Sequence, residues 1–483
     1  MPGQSGHGSA EKAHDEVVMA SAVAIAKEIG GFLAPPSTMA VFDRLRHPLT
    51  AVAVALLLTA PWVGSSLLGF VGSYATGTVV LVAGLAVLGA SFMLAWGAET
   101  AEKDVPRAFA IAVLAVLAVA PEYAVDALYA FNAGNFAGTP RGMESANLAV
   151  ANMTGANRIL IGLGWSGIAL FTIYRAGSAA DPAVEKRDGF LASRVNLDPD
   201  ISTEIAFLFV ATMWAFLVPL NGGIDFIDMF VLVGIYVTYI AIIIQGDVEE
   251  IEEQVGVPKY FQAFARRARV PIVLGLFAYS GLMIFWAVEP FAHGLEVLGQ
   301  NFGIPPFFMI QWIAPLASES PELIVVAYLV NKARSTAGFN ALISSKLNQW
   351  TLLIGTLVVV YSIGLGAYGT LPFDQKQAAE IWITAAQSYF ALAILVNFNI
   401  SLREAIALLV LFASQVAIEF VIIRDLVALP FTSYELLIGY TVVYMVIGTA
   451  MFVRRWGSLQ RLFGRLVRTA RTALGRSQPA ASD

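Results

Sequence analysis

Apolar runs of about 20 residues or more, the length a helix needs to cross a bilayer, recur along the chain with short polar breaks between them. They cover 48–69, 77–97, 107–131, 145–174, 201–220, 226–246, 270–289, 304–331, 338–366, 376–398, 402–424 and 434–454. The pattern predicts an all-α polytopic membrane protein with about 12 transmembrane helices. Residues 1–47 read as a cytoplasmic tail followed by an amphipathic helix. Its apolar run over 15–34 is interrupted by Lys27 and Glu28 and ended by Pro35-Pro36, so it lies on the membrane and does not span it. The polar, acidic start does not have the form of a cleavable signal peptide. At the other end, 455–483 sets Trp456, Leu459, Phe463, Leu466, Val467 and Ala470 on one side of a helix. Arg461, Arg465, Arg468 and Arg471 fall largely opposite, the pattern of an in-plane helix on anionic lipid.

Charge fixes the orientation. With the N-terminus inside, 24 of the 29 Lys and Arg fall in inner segments, and three (Arg141, Lys376, Arg424) in outer ones. That bias is what the positive-inside rule expects of a correct span count, with both termini cytoplasmic. The remaining two, Arg158 and Lys346, lie inside spans. Of the 483 residues 58% are hydrophobic and 13% charged, against roughly 25% charged in soluble chains. With no cysteine, disulfides, thiolate metal sites and cysteine nucleophiles are excluded. Three of the four histidines (His7, His14, His47) precede the first span and His293 lies in an outer loop, so a zinc-dependent intramembrane hydrolase has no ligands. Neither a P-loop nor a dinucleotide fingerprint is present, and nothing supports nucleic-acid binding. The pattern is that of a secondary transporter rather than an enzyme, with no cofactor beyond the ions it moves. The compact loops suit a bacterial plasma membrane.

Candidate chemistry sits in two interrupted spans. Ile313–Val330 carries Glu319 and Glu322 on either side of Pro321, and Val116–Phe131 carries Pro121-Glu122. A charge at mid-membrane costs at least ~2.5–3.5 kcal/mol and marks a functional site by default. Proline breaks the helix at that depth, which membrane proteins tolerate only around a cavity or within protein. Each Pro-Glu span is followed by a polar helix, SANLAVANMTGANRILIGLG after the first and GFNALISSKLNQWTLLIG after the second. Asn157 matches Asn348, and Gly164 and Gly355 each follow seven residues later. Repeats of five spans, 77–246 and 270–424, are joined by the linker 247–269 and flanked by the extra spans 48–69 and 434–454. Five is odd, so the repeats have opposite orientation. A 10-helix core of two inverted five-helix repeats is an architecture of alternating-access transporters.

A Pro-Glu helix paired with a Gly-Asn-x-x-Gly-Ser-Asn-like helix, twice and inverted, resembles the sodium/calcium exchanger (cation/Ca2+ antiporter) superfamily over about 77–424. The resemblance implies a cation antiporter in which Glu122 and Glu322 are the paired metal-binding glutamates. It makes Asn152, Asn157 and Asn348 the motif asparagines and places Ser318 and Ser320 in the polar turn before the second glutamate. The sequence also departs from the family. Val119-Ala120 replace hydroxyl residues, Ile343 replaces an Asn or Asp ligand, Lys346 stands at the glycine matching Gly155, and Arg158 follows Asn157. Asp126, one turn after Glu122, and Glu319 add carboxylates in compensation. Four carboxylates and two cations leave −2, enough for one divalent ion, two monovalent ions or two protons.

Three readings therefore remain. The first is exchange of Ca2+ or Na+ for Na+ or H+ around a midplane carboxylate site. The second is a cation/proton antiporter that does not use Ca2+. The third is a transport-dead sensor or scaffold locked by Arg158 and Lys346 ion pairs with the glutamates. The three asparagines read equally as hydrogen bonds between helices, Asp126 and Glu319 as residues of the loop mouth, and Gln415 and Glu419 as interhelical contacts. The expected partners are small cations and membrane lipids, with anionic lipid at the C-terminal helix.

Overall fold

The computed structural model describes residues 47–104, 120–177, 181–189, 191–245, 256–331 and 333–476. The amphipathic helix expected over 15–34 and the first part of the 107–131 span lie outside these. The chain divides into two units, 1–53 and 54–483. Of the first only 47–53 are described, and they open the helix α1, Pro48–Leu67. All that follows concerns the second unit.

Among the described residues the unit is almost wholly helical, because in hydrocarbon only a helix satisfies its own backbone groups. The first half continues with α2 (Thr76–Ala101), α3 (Ala120–Asn135), α4 (Pro140–Ile159), α5 (Ser166–Arg175), α6 (Ser202–Ala215) and α7 (Phe226–Gln245). After a short helix α8 (Gly256–Gln262), the second half holds α9 (Arg266–Asn301), α10 (Pro306–Asn331), α11 (Ser335–Asn348), α12 (Ile354–Leu365), α13 (Gln375–Leu395) and α14 (Leu402–Ile423). Then come α15 (Ser433–Arg454) and α16 (Trp456–Arg476). Ten helices among the described residues are long and apolar enough to span a membrane, and α10 makes eleven if its two parts, Pro306–Ser320 and Glu322–Asn331, bent by 52°, count as one span. Only α3, the visible end of 107–131, falls short, since 105–119 are not described.

Side-chain caps start several helices: Asp374 accepts from Gln377 N at the start of α13, and Ser401/Glu404 and Thr432/Glu435 form capping boxes on α14 and α15. The spans sort by environment. Of the apolar window of α13, 89% is buried, against 22% for α1 and α14, so α13 is a core helix and the other two are largely exposed.

The halves interlock. α2 packs along α9, while each Pro-Glu helix packs on the polar helix of the other half: α3 against α12, and α10 against α4. Both crossings are close enough to require glycine. A Cβ on Gly134 would lie 2.0 Å from the carbonyl oxygen of Tyr361, and one on Gly155 1.8 Å from that of Gln311. Both polar helices also pass through one widened π turn, Leu160–Trp165 between α4 and α5 and Gln349–Leu353 between α11 and α12. Such bulges cluster at functional sites.

Short strands tie the loops of the two halves at either end. β1 (Val184–Glu185), β2 (Arg194–Asn196) and β5 (Asn399–Ser401) form one antiparallel sheet, and β3 (Gly223–Ile224) pairs with β4 (Leu371–Pro372). At the described end of the linker, charged side chains meet partners around the end of α2. Arg269 binds Asp104 at the end of α2 through two 2.6 Å contacts and donates to the carbonyl of Phe264, while Lys103 reaches the carbonyl of Gln262. The Arg269 guanidinium holds the Asp104 carboxyl below the usual carboxylate range.

The C-terminal helix also differs from expectation. Leu459, Leu462, Phe463 and Leu466 of α16 pack into the protein, with Phe463 edge-on to Phe209 of α6, so this face is covered by α6 and α7. Trp456 and Val467, assigned to the same face from periodicity, are exposed.

Candidate ion-binding site

The first turns of α3 and the bend of α10 bring the acidic residues of the two halves together. Glu122, on α3, and Glu319, on α10, are almost completely buried, and Glu322, just past the bend, is half-buried. The three carboxylates lie close enough to act on one another electrostatically, with Glu319 and Glu322 within hydrogen-bonding reach of each other. The Ser318 hydroxyl lies beside Glu122 and within 3.3 Å of the Pro315 carbonyl. Ser320 donates back to the Leu316 carbonyl instead. Ser and Thr hydroxyls commonly return to such a carbonyl one turn earlier.

The polar helices supply the remaining groups. From α4, Asn152 donates to Asp126 at 2.9 Å, fixing a carboxylate one turn along α3 from Glu122. From α11, Ser345 donates to Glu322 at 2.9 Å, and Gln349 in the π turn donates to Glu319 at 2.7 Å. Tyr123 reaches Asn348 at 3.4 Å. Glu99 near the end of α2 is a further electrostatic neighbour of Glu322. Reading the sequence for motif matches passes over Ser345, Gln349, Tyr123 and Glu99. The signal for the first two was present, because Ser345 and Gln349 are one turn apart and share a face of the second polar helix.

One second oxygen of each of Glu122, Asp126 and Glu319 is buried without a hydrogen-bond donor, as is Asn152 Oδ1. Buried oxygens of this kind are free to take a cation, a proton or water. Among the described residues, no three carboxylates or imidazoles already stand at metal-ligating spacing. The arrangement is thus a cluster of acceptors around a bend and not a closed cage.

Among the described residues the two buried cations make no direct ion pair with these glutamates, although Lys346 is an electrostatic neighbour of Glu319. Arg158 Nη1 binds Glu380 of α13 at 2.6 Å, its Nη2 meets Gln415 of α14, and its guanidinium lies over the Trp312 ring. Lys346 donates to Asn157 Oδ1 at 2.8 Å and lies over Trp350. Asn157 also donates to the Met153 carbonyl, so its side chain is spent on the helix and the lysine. For Arg158 the reason is register: on α4 it is six residues from Asn152, which turns it roughly 120° around the helix.

The comparisons with known proteins agree with this architecture. The model of the family described as sodium/calcium exchanger protein matches residues 74–245 and 272–421. Among solved structures, the chain is similar to the H+/Ca2+ exchanger CAX at 40% identity, over 87% of this chain and 98% of that one, with a TM-score of 0.77. It is also similar to YfkE at 15% identity, over 76% of this chain and 99% of that one, with a TM-score of 0.53, a likeness of fold alone. No match is found among curated proteins.

Proposed function

The chain belongs to the sodium/calcium exchanger family of membrane cation antiporters, and we propose that it exchanges Ca2+ for protons around Glu122, Glu319 and Glu322. The observation that carries this reading is the meeting of carboxylates from both inverted halves at one bend, with oxygens left bare. Several ionised carboxylates cannot stay uncompensated in a low-dielectric interior. A divalent cation neutralises two of them, and so do two protons. Both claim the same oxygens, so each displaces the other, and that competition is the exchange. The H+/Ca2+ exchange named for the 40%-identical CAX supports protons over Na+ as the counter-ion.

Glu122 and Glu322 act as the principal cation ligands, with Glu319, Asp126 and Ser318 at the cluster's edge. Asn152 positions Asp126, Ser345 positions Glu322, and Gln349 positions Glu319. Asn157 and Asn348 serve the packing of the polar helices. The locked-scaffold reading has no direct ion pair between Arg158 or Lys346 and the site glutamates to support it, although Lys346 is an electrostatic neighbour of Glu319. The test is reconstitution in liposomes with Ca2+ uptake driven by an imposed pH or Na+ gradient. Uptake that follows the pH gradient and is lost in Glu122→Gln and Glu322→Gln supports the reading. Uptake driven by Na+ alone, or unchanged in both variants, refutes it.

A further inference from the structure

A second buried charged cluster lies on another face of α4, about 120° round from Asn152. Along it, Glu380 Oε2 binds Arg158 Nη1 at 2.6 Å, and Arg158 Nη2 meets Gln415. Gln415 Nε2 donates to Glu419 at 2.9 Å, and Lys376 Nζ stands 3.1 Å from the same carboxylate. Arg158, Glu380, Gln415 and Glu419 are all at most 1% exposed, whereas Lys376, one turn before Glu380 on α13, is 23% exposed. The cluster therefore leads from the protein surface at the start of α13 inward to Arg158.

Two features make it more than a structural ion pair. It is neutral as built, with two carboxylates against two cations, so one added proton leaves it at +1. It is also incompletely satisfied: Arg158 Nε, Gln387 Oε1 and Gln311 Oε1 are buried without a hydrogen-bond partner, and Glu380 Oε1 has no donor in hydrogen-bonding geometry, with the Gln311 amide lying beside the carboxyl. Buried polar atoms left bare in this way are ordinarily met by internal water, and water is what a proton needs to arrive. The charged and titratable groups facing Glu380 are Arg158 from α4 and Glu419 from α14, with Lys376 on its own helix; Gln311 lies beside it from α10, and Tyr444 of α15 faces Arg158.

We propose that Glu380 is a second proton-binding site, separate from the carboxylates that take the cation, and that its protonation weakens cation binding through the charge it leaves on Arg158. The inference rests on the proton-coupled reading above and deepens it. A proton from solvent adds to Glu380 Oε1, forming an O–H bond, and the ion pair becomes a hydrogen bond from the charged guanidinium to a neutral acid. Arg158, which cannot give up its own proton, then carries an unbalanced positive charge next to Asn157 on the helix whose Asn152 holds Asp126. Positive charge there opposes a cation at the glutamates. By linkage, the bound cation in turn lowers proton affinity at Glu380.

The experiment uses the full-length protein in detergent, with Ca2+ affinity measured across pH 6–8 and proton release on Ca2+ addition followed with an indicator dye. Each linked proton changes affinity up to tenfold per pH unit. Glu380→Gln mimics the protonated state: it should weaken Ca2+ binding at high pH and lower the slope of log Kd against pH by about one. The double variant Arg158→Met with Glu380→Gln removes both charges, and should regain the affinity while keeping the shallow slope. A merely structural role would produce no such rescue. Should Glu380→Gln fail to fold, the double variant alone decides by its slope. Wild-type slope and proton release in these variants overturn the proposal. A wild type that binds Ca2+ without releasing protons overturns the proton-coupled reading itself, and this inference with it.

Discussion

Gly155→Ala tests the close packing on which the site is built. At Gly155 the backbone of α4 approaches that of α10 so closely that a Cβ would stand 1.8 Å from the Gln311 carbonyl oxygen and 2.7 Å from its carbon. Those are backbone atoms, so no side-chain rotation relieves the clash. Ordinary contact requires about 1.5 Å more, so the two helices must part locally by roughly that much. Overpacking of this kind typically costs about 1–3 kcal/mol, and occasionally more. The displacement falls between Asn152, which positions Asp126, and Asn157, which receives Lys346. It also moves the α10 segment leading to Ser318 and Glu319. We expect a lower melting temperature in detergent and Ca2+ uptake reduced tenfold or more, since ~1.4 kcal/mol is a factor of ten. Gly281→Ala is the control, because its Cβ would meet nothing within 4 Å. Melting and transport in Gly155→Ala equal to those of the control would refute the reasoning.

Glu122→Gln removes one charge and one hard oxygen from the site, and breaking a buried charged arrangement costs about 3–5 kcal/mol. Uptake should fall at least a hundredfold while the elution profile of the purified protein is unchanged. Ser345→Ala takes the donor from Glu322 and should weaken Ca2+ binding by about 1 kcal/mol, roughly fivefold, in a calorimetric titration. Arg455 donates to the carbonyls of Ala393 and Ile394 and meets Glu404, joining α13, α14 and α15. Arg455→Ala should lower stability by about 1–3 kcal/mol in a thermal melt, with little change in ion affinity. Asp104, held below its ordinary value of 3.8 by Arg269, contributes stability that is present above that value and lost as pH falls through its lowered one. The melting-temperature gap between wild type and Asp104→Asn should therefore be steady at neutral pH and narrow only in strong acid; a gap that widens on acidification would contradict the assignment.

The spans were legible because hydrocarbon imposes its requirement residue by residue: twenty apolar positions suffice, whatever lies beside them. The same holds for the repeat. The Pro-Glu pairs and the asparagine-glycine spacing of the polar helices are local, and the odd number of spans between them forces inversion. The family followed from those residues alone. What local reading does not determine is which partner a long polar side chain chooses. Arg158 finds Glu380, 222 residues away, and Lys346 finds Asn157 rather than a glutamate. Hydropathy assigns the charges a depth and leaves their neighbours open. Gln415 and Glu419, read only as interhelical contacts, belong to the Arg158 cluster for the same reason. The amphipathic pattern of α16 likewise shows that one face is apolar, but not whether lipid or α6 and α7 covers it, since both are equally greasy. The sequence alone thus determined that the chain is an all-helical membrane protein and which of its helices carry acid. Only the tertiary packing, by bringing helices distant in sequence within a few ångströms at Gly134 and Gly155, decided which charges share a site.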